Sequence, residues 1–213
     1  MIYIEKVVVN SFFENTYIVY DQNKECVIID PGCYSKNEKD KITSIIDKYA
    51  LKVKLILNTH CHIDHILGNK HLKDTYKVSI YAHTNEMPVF EAATEYANAL
   101  ELFDYVATDI SFTIKEGDII EVGNMRFNVI YVPGHSPGHL AFYIVKSKYC
   151  FSGDVIFVNS IGRTDLIGGD YNTLMESINN KIVTLGDDVV IYPGHGRSTS
   201  VGQEKQTNPY LWK

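Results

Sequence analysis

The chain of 213 residues has 4 cysteines, 1 tryptophan, 6 prolines and no apolar run near the length of a membrane helix. Crossing a bilayer takes about 18 or more uncharged apolar residues, so membrane spanning is excluded as an expectation. Cys26, Cys33, Cys61 and Cys150 form no CxxC pair and are too few for a disulfide scaffold. They read as reduced thiols, with Cys26 and Cys150 packed inside apolar runs. The opening Met1-Ile2-Tyr3-Ile4-Glu5-Lys6 puts charges where a secretory leader needs an apolar core. Together these features point to the cytoplasm. Positive charge is also short: 20 Lys and Arg face 26 Asp and Glu, for a net charge of -6. No general basic field exists to hold nucleic acid or an anionic membrane. A core, by contrast, is well provided for, with 45% hydrophobic, 12% aromatic and 22% charged residues. At roughly 150 residues per domain, residues 1–213 make one domain, as a monomer or small homo-oligomer. The 8 histidines outnumber the cysteines, so imidazole is the reactive material most available.

Strand-like runs at Ile2 to Val9, Thr16 to Tyr20 and Cys26 to Ile29, separated by turn-forming residues, predict an antiparallel meander. Ile42, Ile45, Ile46 and Tyr49 share one helical face within Lys41 to Tyr49. A strand over Val53 to Leu57, a short helix near Gly68 to Asp74, a strand over Val78 to Tyr81 and an alanine-rich helix from about Asn85 to Tyr105 follow. The second half repeats the style, with strands at Asp118 to Val122, Arg126 to Val132, Leu140 to Val145 and Tyr149 to Ser152. A helix over Tyr171 to Val183 and a strand over Val189 to Tyr192 complete it. Two rounds of meander plus strand–helix units predict an α/β fold of two face-to-face sheets with helices outside, a four-layer αββα sandwich.

Just after the strand ending at Leu57, Thr59-His60-Cys61-His62-Ile63-Asp64-His65 packs three imidazoles and a carboxylate into one loop. In extended backbone His60 and His62 point the same way, and the turn through Asp64 and His65 sends a second pair elsewhere. Two neighbouring metal sites sharing this loop fit that pattern. A merely hydrogen-bonded polar loop fits it poorly, because three clustered imidazoles repel one another on protonation. Three further loops follow apolar runs: Pro133 to His139 (PGHSPGH), Ser152-Gly153-Asp154, and Tyr192 to Gly196 (YPGHG). Their glycines and prolines make tight turns able to hold one ligand each at a sheet mouth.

The order His60-x-His62-x-Asp64-His65, then His135, Asp154 and His195, resembles the metallo-β-lactamase superfamily over nearly the whole chain. Within it, PGHSPGH, SGD, GRTDL from Gly162 to Leu166, YPGHG and Asn208-Pro209 resemble the glyoxalase II-like, or hydroxyacylglutathione hydrolase-like, branch. The resemblance implies the αββα fold and a binuclear centre: His60, His62 and His135 on one divalent metal, Asp64, His65 and His195 on the second, with Asp154 bridging. Imidazole and carboxylate donors suit zinc, iron or manganese, and nothing in the ligand set chooses among them; zinc is the expected metal, with iron or manganese as alternatives. Cys61 lies between ligands where the family places a variable residue.

The implied reaction is thioester hydrolysis: an S-2-hydroxyacylglutathione such as S-lactoylglutathione, plus water, gives a 2-hydroxy acid and a thiol. A metal-bridging hydroxide attacks the carbonyl, and Asp64 and Asp154 are the catalytic carboxylates. Two divalent ions make the pocket electropositive, suiting a small anionic thioester. Two readings stand for each remaining polar residue near the motifs. His139 orients a ligand or water, or caps a turn. Arg163 meets a substrate carboxylate, or pairs with Asp165 to hold its loop. The stretch Glu86 to Phe103 covers the site as a lid, or packs as an ordinary helix. His71 and His83 read as structural. Glyoxalase II proteins that bind glutathione well resemble this chain plus a basic helical C-terminal extension, which residues 1–213 lack, so another thiol carrier is open. The main rival is a mononuclear-iron persulfide dioxygenase of the same superfamily, which looks more like Pro-Ala-His-Asp where this chain has Pro-Gly-His-Gly. A secreted β-lactamase lacks its leader here, a processing nuclease its basic face, and an oxygen-reducing diiron protein its glutamate in place of His62. A non-enzymatic scaffold of this fold would show lost ligands, and all seven are present.

Overall fold

The computed structural model describes residues 1–211, so the last two residues of the expected 1–213 domain lie outside the described part. Strands β1 (Ile2–Val9), β2 (Glu14–Asp21) and β3 (Glu25–Ile29) form the antiparallel meander and lead into helix α1 (Lys36–Lys48). Then come β4 (Lys52–Leu57), α2 (Ile63–Ile66), α3 (Asn69–Tyr76), β5 (Ser79–Ala82), α4 (Met87–Ala99) and β6 (Phe112–Thr113). Pairing runs β1-β2-β3-β4-β5-β6, with the last three junctions parallel. The second half supplies β7 (Ile119–Val122), β8 (Met125–Tyr131), β9 (Leu140–Ile144), β10 (Tyr149–Gly153), the small hairpin β11 (Ile156–Phe157) and β12 (Ser160–Ile161), and α5 (Tyr171–Ser177). It ends with β13 (Val190–Pro193), β14 (Thr199–Ser200) and α6 (Val201–Thr207). This sheet is ordered β14-β13-β10-β9-β8-β7.

The apolar alternation explains the layers. In β3, Val27 and Ile29 point between the sheets, where they meet Phe127, Phe142 and Phe151, while Cys26 and Ile28 point outward to Ile42 and Ile46 of α1. Burial on both faces is why β3 reads as a continuous apolar run rather than an alternating one. On the far side Leu174 of α5 and Ile178 pack on Ala141, Cys150 and Ile191. The result is the αββα order expected from the sequence. No helix of the described residues is long and apolar enough to cross a membrane. All four cysteines are free and buried.

Several element ends differ from the sequence reading for local reasons. Helix α1 begins at Lys36 rather than Lys41 because Ser35 and Glu38 form a capping box. Glu38 also accepts the Asn10 N–H at 2.8 Å, tying the helix start to the β1–β2 turn. Ser35→Ala is expected to cost ~1 kcal/mol of stability, read from the urea midpoint. The helix expected to reach Tyr105 stops at Ala99, since Glu101 enters left-handed backbone at φ 58°. The helix from Tyr171 remains α-helical only to Ser177, then widens to a π turn over Ile178–Ile182 and tightens over Val183–Leu185.

Candidate metal centre

The four ligand-bearing loops leave the carboxyl ends of β4, β8, β10 and β13 at one end of the sandwich. Two contacts hold the sheets in register there: Leu140 N–H donates to Thr59 O at 2.7 Å, and Asn15 N–H donates to Gly194 O at 2.7 Å. The loops bring all seven sequence-predicted ligands together. Donor atoms of His60, His62 and His135 lie within 4.8 Å of one another, as do those of Asp64, His65 and His195. Asp154 stands between the groups: one oxygen is 3.5 Å from His65 Nε2, the other 3.6 Å from His135 Nε2 and 3.4 Å from His195 Nε2.

The surroundings decide which ring nitrogen faces the centre. His135 Nδ1 is 2.7 Å from Arg163 O and His195 Nδ1 is 3.0 Å from Phe12 O. A carbonyl only accepts, so both Nδ1 atoms carry hydrogen and it is Nε2 that faces the centre, able to offer a lone pair to a metal once deprotonated. Asp30 settles two more. It accepts the Thr59 hydroxyl at 2.6 Å and lies 3.1 Å from His65 Nδ1. Because Thr59 Oγ1 donates to Asp30, it accepts from His60 Nδ1, 3.0 Å away. His60 and His65 therefore also turn Nε2 inward. Oriented imidazoles of this kind are what metal ligands require.

Buried His60 Nε2, His65 Nε2 and Asp154 Oδ1 have no hydrogen-bond partner in the protein. Leaving such atoms unpaired costs about 1–3 kcal/mol each, so the site fits a cation that satisfies them. Its donors, imidazole nitrogen and carboxylate oxygen, suit borderline divalent ions. The two groups differ in charge state. Burial, reinforced by neighbouring imidazoles, holds His60 well below the ordinary range and His62 at about 3. These are neutral ligands. Burial also opposes protonation of His65 and His195, but Asp64 and Asp154 outweigh it, holding His65 well above the usual range and His195 at about 9.

That contrast predicts the pH response of metal-free protein. A histidine with a raised folded pKa stabilises fully below its unfolded value near 6.5 and loses that contribution as pH rises through the folded value. Chelated protein is therefore expected to melt at progressively lower temperature from about pH 7 to about 9, as His195 loses its proton beside two carboxylates. Metal-loaded protein should not show this decline, because its imidazoles are already deprotonated by coordination. A flat melting profile for the chelated protein would contradict the assignment.

Sequence reasoning missed the residues that hold these ligands in place. Glu86, fully buried, accepts Cys61 N–H at 2.7 Å, the Ser136 hydroxyl at 2.7 Å and Gly138 N–H at 2.6 Å. It thereby clamps the His60–His62 loop to the His135–His139 loop. Asp30 does the same for Thr59 and His65, and Asn10 donates to Gly32 O and Asp64 O at 3.0 and 2.9 Å. Gly194 has a steric role: a Cβ there would lie 2.1 Å from Asp154 Oδ1 and 2.6 Å from His65 Cε1. The PGH tripeptide is thus a clearance device as well as a turn.

The residues with two readings resolve unevenly. His139 accepts the Asp154 N–H at 3.1 Å and stacks on His60 at 4.6 Å, so it braces the ligands from behind. Arg163 gives two hydrogen bonds to Asp165, at 2.7 and 2.6 Å, on an exposed part of the rim. Cys61 is buried, which pushes its thiol well above the usual range, and it belongs to neither ligand group. His83 caps the turn before α4 by accepting Asn85 N–H. Helix α4 packs Val89, Ala93 and Ala97 against Ile63 and Ile66, and it walls a cavity of about 850 Å³ that opens onto His62, Asp64, His135, Asp154 and His195.

The fold and the site define a class, an αββα sandwich with a His/Asp metal centre at its strand ends. The chain belongs to the metallo-beta-lactamase superfamily, whose family model matches residues 9–195. It is similar to hydroxyacylglutathione hydrolase GloC of Haemophilus influenzae, 37% identical over 211 residues, 98% of this chain and 97% of the relative. Among solved structures it is similar to the B3 metallo-beta-lactamase BLEG-1, with TM-score 0.90 and 34% identity, covering 99% of this chain and 100% of that one. A di-iron-bound form of TTHA1623 aligns with TM-score 0.86 and 34% identity, covering 97% and 100%. The chain is accordingly a hydrolase of this superfamily, with His and Asp groups for divalent metal.

Proposed function

We propose that the protein is a binuclear metal-dependent thioesterase acting on S-2-hydroxyacylglutathione, S-lactoylglutathione-like, with zinc as its ions and iron or manganese as alternatives. The observation that carries the reading is Asp154 standing between two three-residue groups of inward-facing donors. Similarity to GloC and to a di-iron relative supports it. His60, His62 and His135 would hold one ion, Asp64, His65 and His195 the other, and Asp154 both. Bound divalent ions supply Lewis acidity, lowering the pKa of water toward ~7 and polarising a carbonyl.

The rest is the work of the chain. The cavity receives the thioester with its carbonyl at the His/Asp end, between His135 and His195. Asp64, whose carboxylate borders the cavity, takes up the proton that water releases as the new C–O bond forms. The C–S bond then breaks, and a thiol of ordinary pKa near ~8.5 leaves as thiolate without a dedicated acid. Asp30, Glu86 and His139 keep the donors in place throughout, so little reorganisation accompanies the charge shift. A single preparation assayed for S-lactoylglutathione loss and for oxygen uptake with glutathione persulfide tests the reading. Thioester loss without oxygen uptake is expected. Oxygen uptake with one iron per chain would replace it with the dioxygenase.

A further inference from the structure

The cavity beside the metal centre is apolar where it leaves the ligands. Val89, Ala92 and Tyr96 of α4 and Leu100 just past its end form a wall, and Phe12 of the β1–β2 turn and Ile167 also line the cavity. Phe12, Tyr96, Leu100 and Ile167 remain 38%, 45%, 40% and 49% exposed. Large apolar side chains gathered around a concave site and left in water mark a surface that a ligand covers. Polar groups are sparse there. Beyond the metal centre the lining offers Ser160, the Tyr96 hydroxyl and buried Cys61, and its charged side chains are Arg163 and Asp165. These two bind each other through paired hydrogen bonds, so together they add no net charge to the wall.

Resting on the thioesterase reading, we infer that this wall binds the acyl half of the substrate and selects apolar acyl groups longer than lactoyl. Glutathione carries two carboxylates and an ammonium, so an apolar wall is a poor partner for the thiol half. A three-carbon hydroxyacyl group would fill little of a cavity of about 850 Å³ and would leave its hydroxyl beside aliphatic side chains. A straight or aromatic hydrocarbon chain, by contrast, covers Val89, Ala92, Tyr96 and Leu100 while its carbonyl stays at the His/Asp end. The reaction is unchanged: water adds to the carbonyl, the C–S bond breaks, and carboxylate and thiol leave.

The test is a series of glutathione thioesters, acetyl, lactoyl, butanoyl, hexanoyl and octanoyl, assayed with the metal-loaded protein. Each buried CH₂ is worth about fourfold in kcat/KM, so the series should climb until the wall is filled, with lactoyl below butanoyl. Ala92 sits half-buried on the wall, and Ala92→Phe should shorten the cavity and cut the octanoyl-to-acetyl ratio about tenfold. Calorimetric affinities of acetate, butanoate, hexanoate and octanoate give a readout independent of turnover, and should tighten with chain length in the wild type alone. If thioesters are hydrolysed with lactoyl preferred and no gain with length, the acyl-wall inference is overturned and the thioesterase reading stands. If no thioester is hydrolysed, the thioesterase reading falls, and the carboxylate series still decides the wall: tightening supports it and constant affinity refutes it.

Discussion

Asp154→Ala is expected to strip metal from both positions and lower thioester turnover by about 10³-fold, the scale of losing several kcal/mol of charge stabilisation. The expectation follows from geometry. Asp154 is 92% shielded from solvent, and its two oxygens face His65, His135 and His195 at 3.4 to 3.6 Å. Asp64 is grouped only with His65 and His195, and Asp30, though grouped with His60 and His65, already accepts the Thr59 hydroxyl and lies against His65 Nδ1, the ring nitrogen turned away from the centre. Burial alone would push the Asp154 carboxyl up, but protonated His65 and His195 hold it well below the usual range, so it is an anion at any working pH. Asp154→Asn keeps the shape and removes the charge. It should retain the fold and lose most of the metal, as read by elemental analysis of the purified variant. Two ions per chain in Asp154→Ala would refute the bridging role.

Glu86→Ala is expected to cost about 3–5 kcal/mol of folding stability and to weaken metal binding by about 10–100-fold, although Glu86 is not grouped with any of the ligands. The loss arises because three donors, Cys61 N–H, Gly138 N–H and Ser136 Oγ–H, would be left in the interior without an acceptor. Burial pushes the Glu86 carboxyl up, and those same three donors pull it back toward ionisation. Glu86→Gln keeps one carbonyl acceptor and should fall between wild type and Glu86→Ala. Urea unfolding and competition with a chromophoric chelator read the two effects separately. Wild-type metal affinity in a folded Glu86→Ala would mean that the two histidine loops need no clamp.

The contrast between these residues shows what a sequence discloses. Asp154 was legible because it follows a strand end, sits in a short glycine turn and belongs to a motif whose other members are spaced along the chain in order. His60, His62, Asp64 and His65 were legible because they are adjacent. Glu86 was not, because its partners are two backbone N–H groups and a serine hydroxyl that lie 25 and about 50 residues away. Nothing in the local pattern around Met87 separates it from an exposed glutamate at a helix start. Asp30 hides in the same way, a carboxylate in left-handed backbone at φ 48° after an apolar strand, whose role appears only when Thr59 and His65 are beside it. The layer order was legible because β3, β9 and the Leu55–Leu57 end of β4 are apolar on both faces while α1 is apolar on one. Element ends were less so. The start of α1 depended on a cap box before the first apolar residue, and the end of α4 on one left-handed residue, neither of which alters the apolar spacing.

The same distinction applies to α4. Composition left a lid and a packed helix both open, and the structure makes it a packed helix with one side turned to the cavity. Its anchoring end carries Glu86, so the acyl wall and the histidine loops share one support. Substitutions near Met87 should therefore alter chain-length preference and metal affinity together.

The most direct test of the account is a back-titration of chelated protein with Zn²⁺, following S-lactoylglutathione hydrolysis at each addition. Two groups of donors joined by Asp154 predict activity that plateaus at two equivalents per chain. A plateau at one equivalent, or no hydrolysis at any loading, would contradict it.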